Sequence, residues 1–495
     1  MFYRNALKGL RGSDRVYSVK SFGGGMNTVS EDFLLEQGVA KISYNLSGKT
    51  GALRECGGFS AFTLPFDGKE TEVTIGNKAI TKVWYYRRFD LPTRKNDDRI
   101  LLLSEDKRLY NIYINGLDLG VSLVDERQFE ETPEALNYRL NGEDVMIFCS
   151  GKDKMRVYNG VDTPTVIDDA PALSSICVHG ERLFATSPDT LNTLWFSDDL
   201  DPTNWNISLD EAGFVEMADE NGALLKVLSF FNYVYVFRSY GITRFYATGE
   251  QSRFSLMHLF VSSDRIIGDT VCVCGDRILF LTQRGLFDFD GSGTVKILDR
   301  LSGLFEGEDN SQARAAYFGG KYFLACRLNF NDGRRVMCEK GDYVNNALVE
   351  VDLASGSVAV VRGVDVASLA AVNAPDKNFL LACFRNEKRV AIFDDGGSVF
   401  GEAMPKRWVC PKTDLDGADR RKLLRYALIE TEHDLTLCVE ADGQEHTRFV
   451  RGSDRQQKVP FNVTGSVFRL SVDADTDKMR AVSYTHLTLP TNSRV

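Results

Sequence analysis

Three short stretches hold residue types that could do chemistry. Asp288-Phe289-Asp290-Gly291-Ser292-Gly293, with Asp299 further on, places oxygen-bearing side chains near the spacing of a calcium loop. A calcium loop needs flanking helices, whereas strand-like alternation runs straight into Asp288, so a hairpin turn is expected there. Cys272 and Cys274 would share one face of a strand, but no second cysteine pair or histidine stands at zinc-ligand spacing. Gly23-Gly24-Gly25 lacks the lysine and the strand-to-helix setting of a phosphate loop and reads as a hinge. No Gly-x-Ser-x-Gly elbow is present. No catalytic residue, cofactor or metal ligand is therefore predicted, and the chain does not read as an enzyme.

The elements that would carry these stretches are strands. Of 495 residues, 43% are apolar and 11% aromatic, which argues for packed cores and against disorder. The length exceeds one ordinary core, so several domains or one large repeat array is expected. Glycine is frequent, at 42 residues, and proline scarce, at 12, a balance that suits many tight strand turns. A net charge of −10 opposes nucleic-acid wrapping, which needs a basic surface. No apolar run is long enough to span a membrane, and no signal core follows Met1-Phe2-Tyr3-Arg4-Asn5, so synthesis and retention in a cytoplasm are expected. Cysteines such as Cys149 and Cys383 lie singly in apolar runs, where cysteine behaves as a small buried hydrophobe.

One pattern recurs: a β-rich run, a tight turn, a second apolar run, another turn and a third strand. Ile100, Val145, Leu183, Val234, Ile278, Phe323 and Phe379 are equivalent anchors of the second runs, with a mean spacing of roughly 46 residues. A strand-only period of that size predicts an all-β β-propeller of six to eight four-stranded blades, seven favoured. Stacked β-sandwiches are the rival, but they give no such longer period. Third runs such as Lys154–Gly160 and Gly285–Gly291 alternate polar and apolar and read as half-buried outer strands.

Three regions flank the array, expected over 61–400. Residues 1–60 read as an N-terminal arm with an amphipathic-looking stretch from Glu31 to Gln37. Residues 401–481 read as a C-terminal β-sandwich-like module, entered by the basic run Arg420-Arg421-Lys422, which suits a solvated strand edge. Residues 482–495 match the translation of a common sequencing adapter over ten consecutive residues from Val482 and read as non-native.

Two resemblances add to this reading. Ser197-Asp198-Asp199-Leu200-Asp201-Pro202-Thr203-Asn204-Trp205 resembles the aspartate box of sialidase propellers, but its spacing is one residue too long, it has Asp201 where Gly is expected, and it occurs once. Phe22-Gly23-Gly24-Gly25-Met26-Asn27, then Asn45, then Gly51-Ala52-Leu53-Arg54 and Gly57 are similar to the opening of bacteriophage tail proteins of the head-to-tail stabilisation, hub and nozzle type. Trp195, Ser197, Asp198, Pro202 and Trp205 also look like a motif of those proteins. The resemblance implies a structural virion protein, a subunit of a hexameric ring beside portal and adaptor. DNA would pass it without specific binding, and no membrane anchor is implied. Its place would be the virion tail, after synthesis in the bacterial host cytoplasm. The alternative is a carbohydrate-binding propeller or receptor-binding tail component, with Trp84-Tyr85-Tyr86 stacking on sugars, although Trp84 sits in an apolar run and is expected in a core.

Overall fold

The computed structural model describes residues 15–36, 38–66, 69–114, 120–208, 211–249, 251–332, 343–415 and 421–490. Met1–Asn5, Gln37, Arg420 and 491–495 lie outside the described residues. The chain is all-β, with 53% of residues in strands and 4% in helix.

Six antiparallel four-stranded sheets follow one another along the chain, and the second strand of each holds its anchor. The first sheet has Arg99–Ser104 between Ile80–Tyr86 and Leu109–Tyr113; the second has Glu143–Cys149 between Glu134–Leu140 and Met155–Tyr158. The third is built on Arg182–Thr186, the fourth on Tyr233–Arg238, the fifth on Ile278–Thr282 and the sixth on Lys321–Cys326. Three strands of a seventh, Val366–Ala374, Lys377–Phe384 and Val390–Phe393, lack a fourth in sequence order. Phe59–Ala61 supplies it, pairing antiparallel with Val390–Phe393. The array therefore begins at Phe59 and draws its last strand from the expected arm.

A core of apolar side chains lies between each pair of consecutive sheets. Trp84 and Tyr86 meet Phe148 and Tyr158 between the first and second; Phe237 and Tyr235 meet Phe280 and Phe289 between the fourth and fifth. Another core joins the seventh sheet to the first, where Val372, Leu381 and Val390 pack on Ile80, Val83 and Ile100. Because both faces are covered, the second strands are buried along most of their lengths, with exposure confined to first residues such as Glu143, Lys377 and Asn378. The third strands are interior too, not half-buried outer strands. Met155–Tyr158 is buried at every residue, because a fourth strand covers its edge and neighbouring sheets cover its faces.

Apart from the hairpins Thr63–Phe66 with Lys69–Glu72 and Phe89–Asp90 with Lys95–Asn96, and the short strands Ser398–Val399 and Glu402–Ala403 that extend the seventh sheet, the remaining strands form two sheets around one further core. A five-stranded sheet runs Ile42–Tyr44, Lys406–Val409, Phe468–Ala474, Leu435–Ala441, Gln444–Val450. The other runs Leu46–Ser47, Leu53–Glu55, Arg480–Pro490, Lys422–Thr431, Ser453–Gly465, with Arg15–Val19 also on Arg480–Pro490. Phe22, Leu46 and Leu53 share their core with Trp408, Leu437, Phe461 and Val472. Residues 1–60 and 401–481, separate in the sequence reading, thus interleave in both sheets. The strand from Arg480 to Pro490 includes most of the adapter-like segment, whose alternating Thr, Leu and aromatic residues favour extended backbone.

Two local expectations change. Glu31 to Gln37 is not an amphipathic helix where described: it holds one 3-10 turn, Asp32–Leu34, with Phe33 and Leu34 exposed. Lys422 does not border a sheet edge but begins an interior strand. It is buried, and its ammonium donates to the Asp414 carbonyl, which offsets the cost of taking the charge from water.

Candidate assembly interface

The residues that carry the phage-tail resemblance converge on one joint between the arm, the sixth and seventh sheets and the C-terminal module. Asn45 is its centre. Its backbone sits at φ 57, a left-handed conformation that asparagine tolerates better than most residues, and it is fully buried. Burial obliges its amide to find partners. Oδ1 accepts the Arg362 N–H at 2.8 Å, while Nδ2 donates to the carbonyls of Arg362 at 3.2 Å and Pro405 at 2.8 Å. One side chain thereby ties the sixth sheet's last strand to the segment entering the module.

Gly57 makes the next close approach. Its φ is +67, and a Cβ there would lie 2.2 Å from Val361 Cγ2, so only glycine lets the arm cross the sixth sheet. Phe22 stands edge-on to Trp408 with ring centres 5.0 Å apart, and its N–H donates to the Gly51 carbonyl at 2.9 Å. Asn27 Oδ1 accepts the N–H groups of Val29 and Ser30, closing a turn that lets Thr28 N–H reach the Arg300 carbonyl at 2.8 Å. Leu53 is core, whereas Arg54 is exposed.

Gly23, Gly24 and Gly25 border a groove of about 550 Å³ with Lys49, Lys296 and Arg300. Two of these cations already have partners. Lys49 pairs with Asp352 at 2.5 Å and Lys296 with Asp299 at 2.8 Å. The Lys49 ammonium, with the Ser355 N–H, holds the Asp352 carboxyl well below the usual range.

The second motif lies apart from this joint, in the turn after the third sheet's third strand. Ser197 Oγ accepts the Leu183 N–H at 3.0 Å, and Asp198 Oδ2 accepts from Asn204 Nδ2 at 3.0 Å. The Pro202 carbonyl accepts the Trp205 indole N–H at 3.0 Å, and Trp205 is buried between the second and third sheets. Trp195 donates to Thr190 Oγ1 at 2.9 Å. Every polar group named here serves turn geometry.

The other candidates are likewise held by neighbours. Asp288 pairs with Arg277 at 3.0 Å and Asp299 with Lys296. The N–H groups of Gly293 and Ser292 bind Asp290 and bring its carboxyl down to about 2, as in a closed hairpin turn. Among the described residues, no three His, Cys, Asp or Glu side chains converge. The Cys274 thiol donates towards the Cys272 carbonyl at 3.5 Å. Trp84 packs edge-on to Phe148, and the Tyr86 hydroxyl donates to the Asp144 carbonyl at 2.6 Å, so these two rings offer no sugar platform.

No family model matches the chain, and no curated protein matches it. Among solved structures it is similar to the computationally designed Ika8 protein, at 10% identity over 65% of this chain and 98% of that one, with a TM-score of 0.38. It is also similar to Raptor of Chaetomium thermophilum, at 8% identity and a TM-score of 0.44, over 65% of this chain and 28% of that one. Neither likeness carries a function.

Sequence reading missed several members of the joint. Arg362 lies over Phe330 at 4.3 Å and Tyr44 at 4.9 Å and pairs with Asp332 at 2.8 Å. Lys406 is buried and donates to the carbonyls of Gly397, Met404 and Thr476 at 2.7 to 3.1 Å. Arg362 ends an apolar run and Lys406 stands beside Arg407, places where a charge reads as outward-facing.

Proposed function

We propose that the chain is a structural subunit of a bacteriophage tail, of the hub, nozzle or head-to-tail stabilisation type, that assembles into a closed, sixfold ring beside portal and adaptor. On this reading the seven sheets are the blades of a β-propeller, and the arm and module form a β-sandwich fixed to its side. The cyclic succession of cores, with the seventh sheet packed on the first, supports the propeller. The observation that carries the functional reading is the joint at Asn45. The residues of the resemblance lock the arm, two sheets and the module into one body, as a load-transmitting subunit requires.

The path of DNA follows from the same geometry. Across the inner ends of the sheets, Lys226 of the fourth pairs with Glu134 of the second at 2.5 Å. That bridge leaves no room for a duplex within one chain, so the conduit is formed between copies. A net charge of −10 suits its wall, since an acidic surface does not retain a passing polyanion.

Contacts between copies need free edges. Gln444–Val450 ends its sheet at the side away from the arm strand Ile42–Tyr44 and presents Phe449, 64% exposed. Strand addition there would satisfy the unpaired backbone groups of that edge. Native mass spectrometry and negative-stain imaging of the full chain test the proposal. A closed ring, alone or on adaptor rings of the same phage, is expected; a strict monomer that ignores those rings overturns it.

A further inference from the structure

The inner ends of the seven sheets enclose a cavity of about 630 Å³, a volume typical of small-molecule sites. Four cations and three carboxylates line it. Lys226 is paired with Glu134, and Arg314 of the sixth sheet with Asp269, which precedes the fifth, at 2.7 Å. Lys82, on the first sheet's innermost strand, is the cation left over. Its ammonium donates to the Pro133 carbonyl at 2.7 Å and lies 5.4 Å from the Trp84 ring, and it has no carboxylate partner among the described residues. Glu105 and Arg385 also line it, and Arg385 has its own partner in Asp365 at 3.5 Å.

An ammonium has three N–H donors, and Lys82 directs one at protein. A half-buried ammonium that lacks a carboxylate partner gains from an added anion. We infer that this cavity is a binding site for a small oxyanion, phosphate or a compact carboxylate, held by Lys82 with Lys226 and Arg314 at its flanks.

The environment of Lys82 points the same way. Burial brings its amine down to about 8; Glu134 and Asp269 oppose that shift, while Lys226 and Arg314 add to it. A bound anion would favour the charged amine, so binding should take up protons near pH 8 and weaken above pH 9.

Neither the cavity nor its charge depends on assembly, so the inference can be tested on monomer or ring alike. Isothermal titration of the full chain with inorganic phosphate, and separately with citrate, is the experiment, run at pH 7 and pH 9. Saturable binding is expected for at least one anion, weaker at pH 9, and Lys82→Met should reduce the affinity on the order of tenfold or more. The variant's anion-free melting temperature reports its folding, and Lys82→Arg, which keeps the charge, should retain binding if Lys82→Met fails to fold. No heat with either anion, or equal binding by wild type and Lys82→Met, overturns the inference.

Discussion

Asn45 and Arg362 hydrogen-bond each other in both directions: Asn45 Oδ1 accepts the Arg362 N–H at 2.8 Å, and Asn45 Nδ2 donates to the Arg362 carbonyl at 3.2 Å. The pair imitates one rung of a β-ladder, with an amide side chain in place of a strand. The arm thereby borrows the sixth sheet's edge without extending it. Asn45→Ala would leave a buried N–H and two carbonyls short of partners and put a Cβ-bearing residue without local hydrogen bonds at positive φ. A loss of about 3 kcal/mol is expected in urea unfolding. A loss below 1 kcal/mol would mean that the joint is not rigid.

Gly57 gives a second test of that joint. Gly57→Ala combines positive φ with a Cβ driven into Val361, so a loss of about 2 to 4 kcal/mol is expected. Trimming the obstacle with Val361→Ala should recover part of it in a double-mutant cycle, because the two side chains touch. Purely additive effects would place the strain in the backbone alone.

Phe449→Glu separates assembly from folding. The ring is largely exposed, so the chain's own stability should shift by no more than about 0.5 kcal/mol in thermal melts. Assembly through this edge should be lost, read as a fall in mass by light scattering. Unchanged assembly would move the contact elsewhere on the surface.

Acid should loosen the arm. Burial opposes ionisation of Asp32, but the Lys412 N–H at 2.9 Å, Arg469 at 3.0 Å and Lys41 at 3.4 Å outweigh it and hold the carboxyl below its ordinary range. A carboxyl depressed by folding stabilises the protein above its unfolded value of about 3.9, and that contribution disappears as pH falls through the lower folded value. Urea midpoints should therefore be insensitive to Asp32 protonation between about pH 5 and 7 and drop below about pH 4. The drop should be shallower in Asp32→Asn. An identical acid slope in both proteins would show that Asp32 contributes nothing to the joint.

The second strands were legible because they are apolar on both faces, and burial between two cores leaves no alternative composition. The third strands were harder. Arg156 suggests an outward face in Met155–Tyr158, yet it is buried, stacks over Phe129 at 4.1 Å and donates to the carbonyls of Arg127 and Gln128. Long side chains that cross a core to reach backbone leave the same alternation as solvent-facing ones. Phe59–Ala61 was invisible as a member of the seventh sheet because three residues hold no period. The joint was legible as a set of residues, from Phe22 to Gly57, but its partners Arg362, Lys406 and Trp408 lie hundreds of positions away.

The pairing of Phe59–Ala61 with Val390–Phe393 also orders events at the ribosome. The earlier strand is made first and must wait roughly 330 residues for its mate, on the order of tens of seconds at common elongation rates. Until then the first and sixth sheets each keep an apolar face without the seventh sheet to cover it, which exposes the chain to misassociation. The seventh sheet is thus completed late, with its earliest-made strand held in reserve.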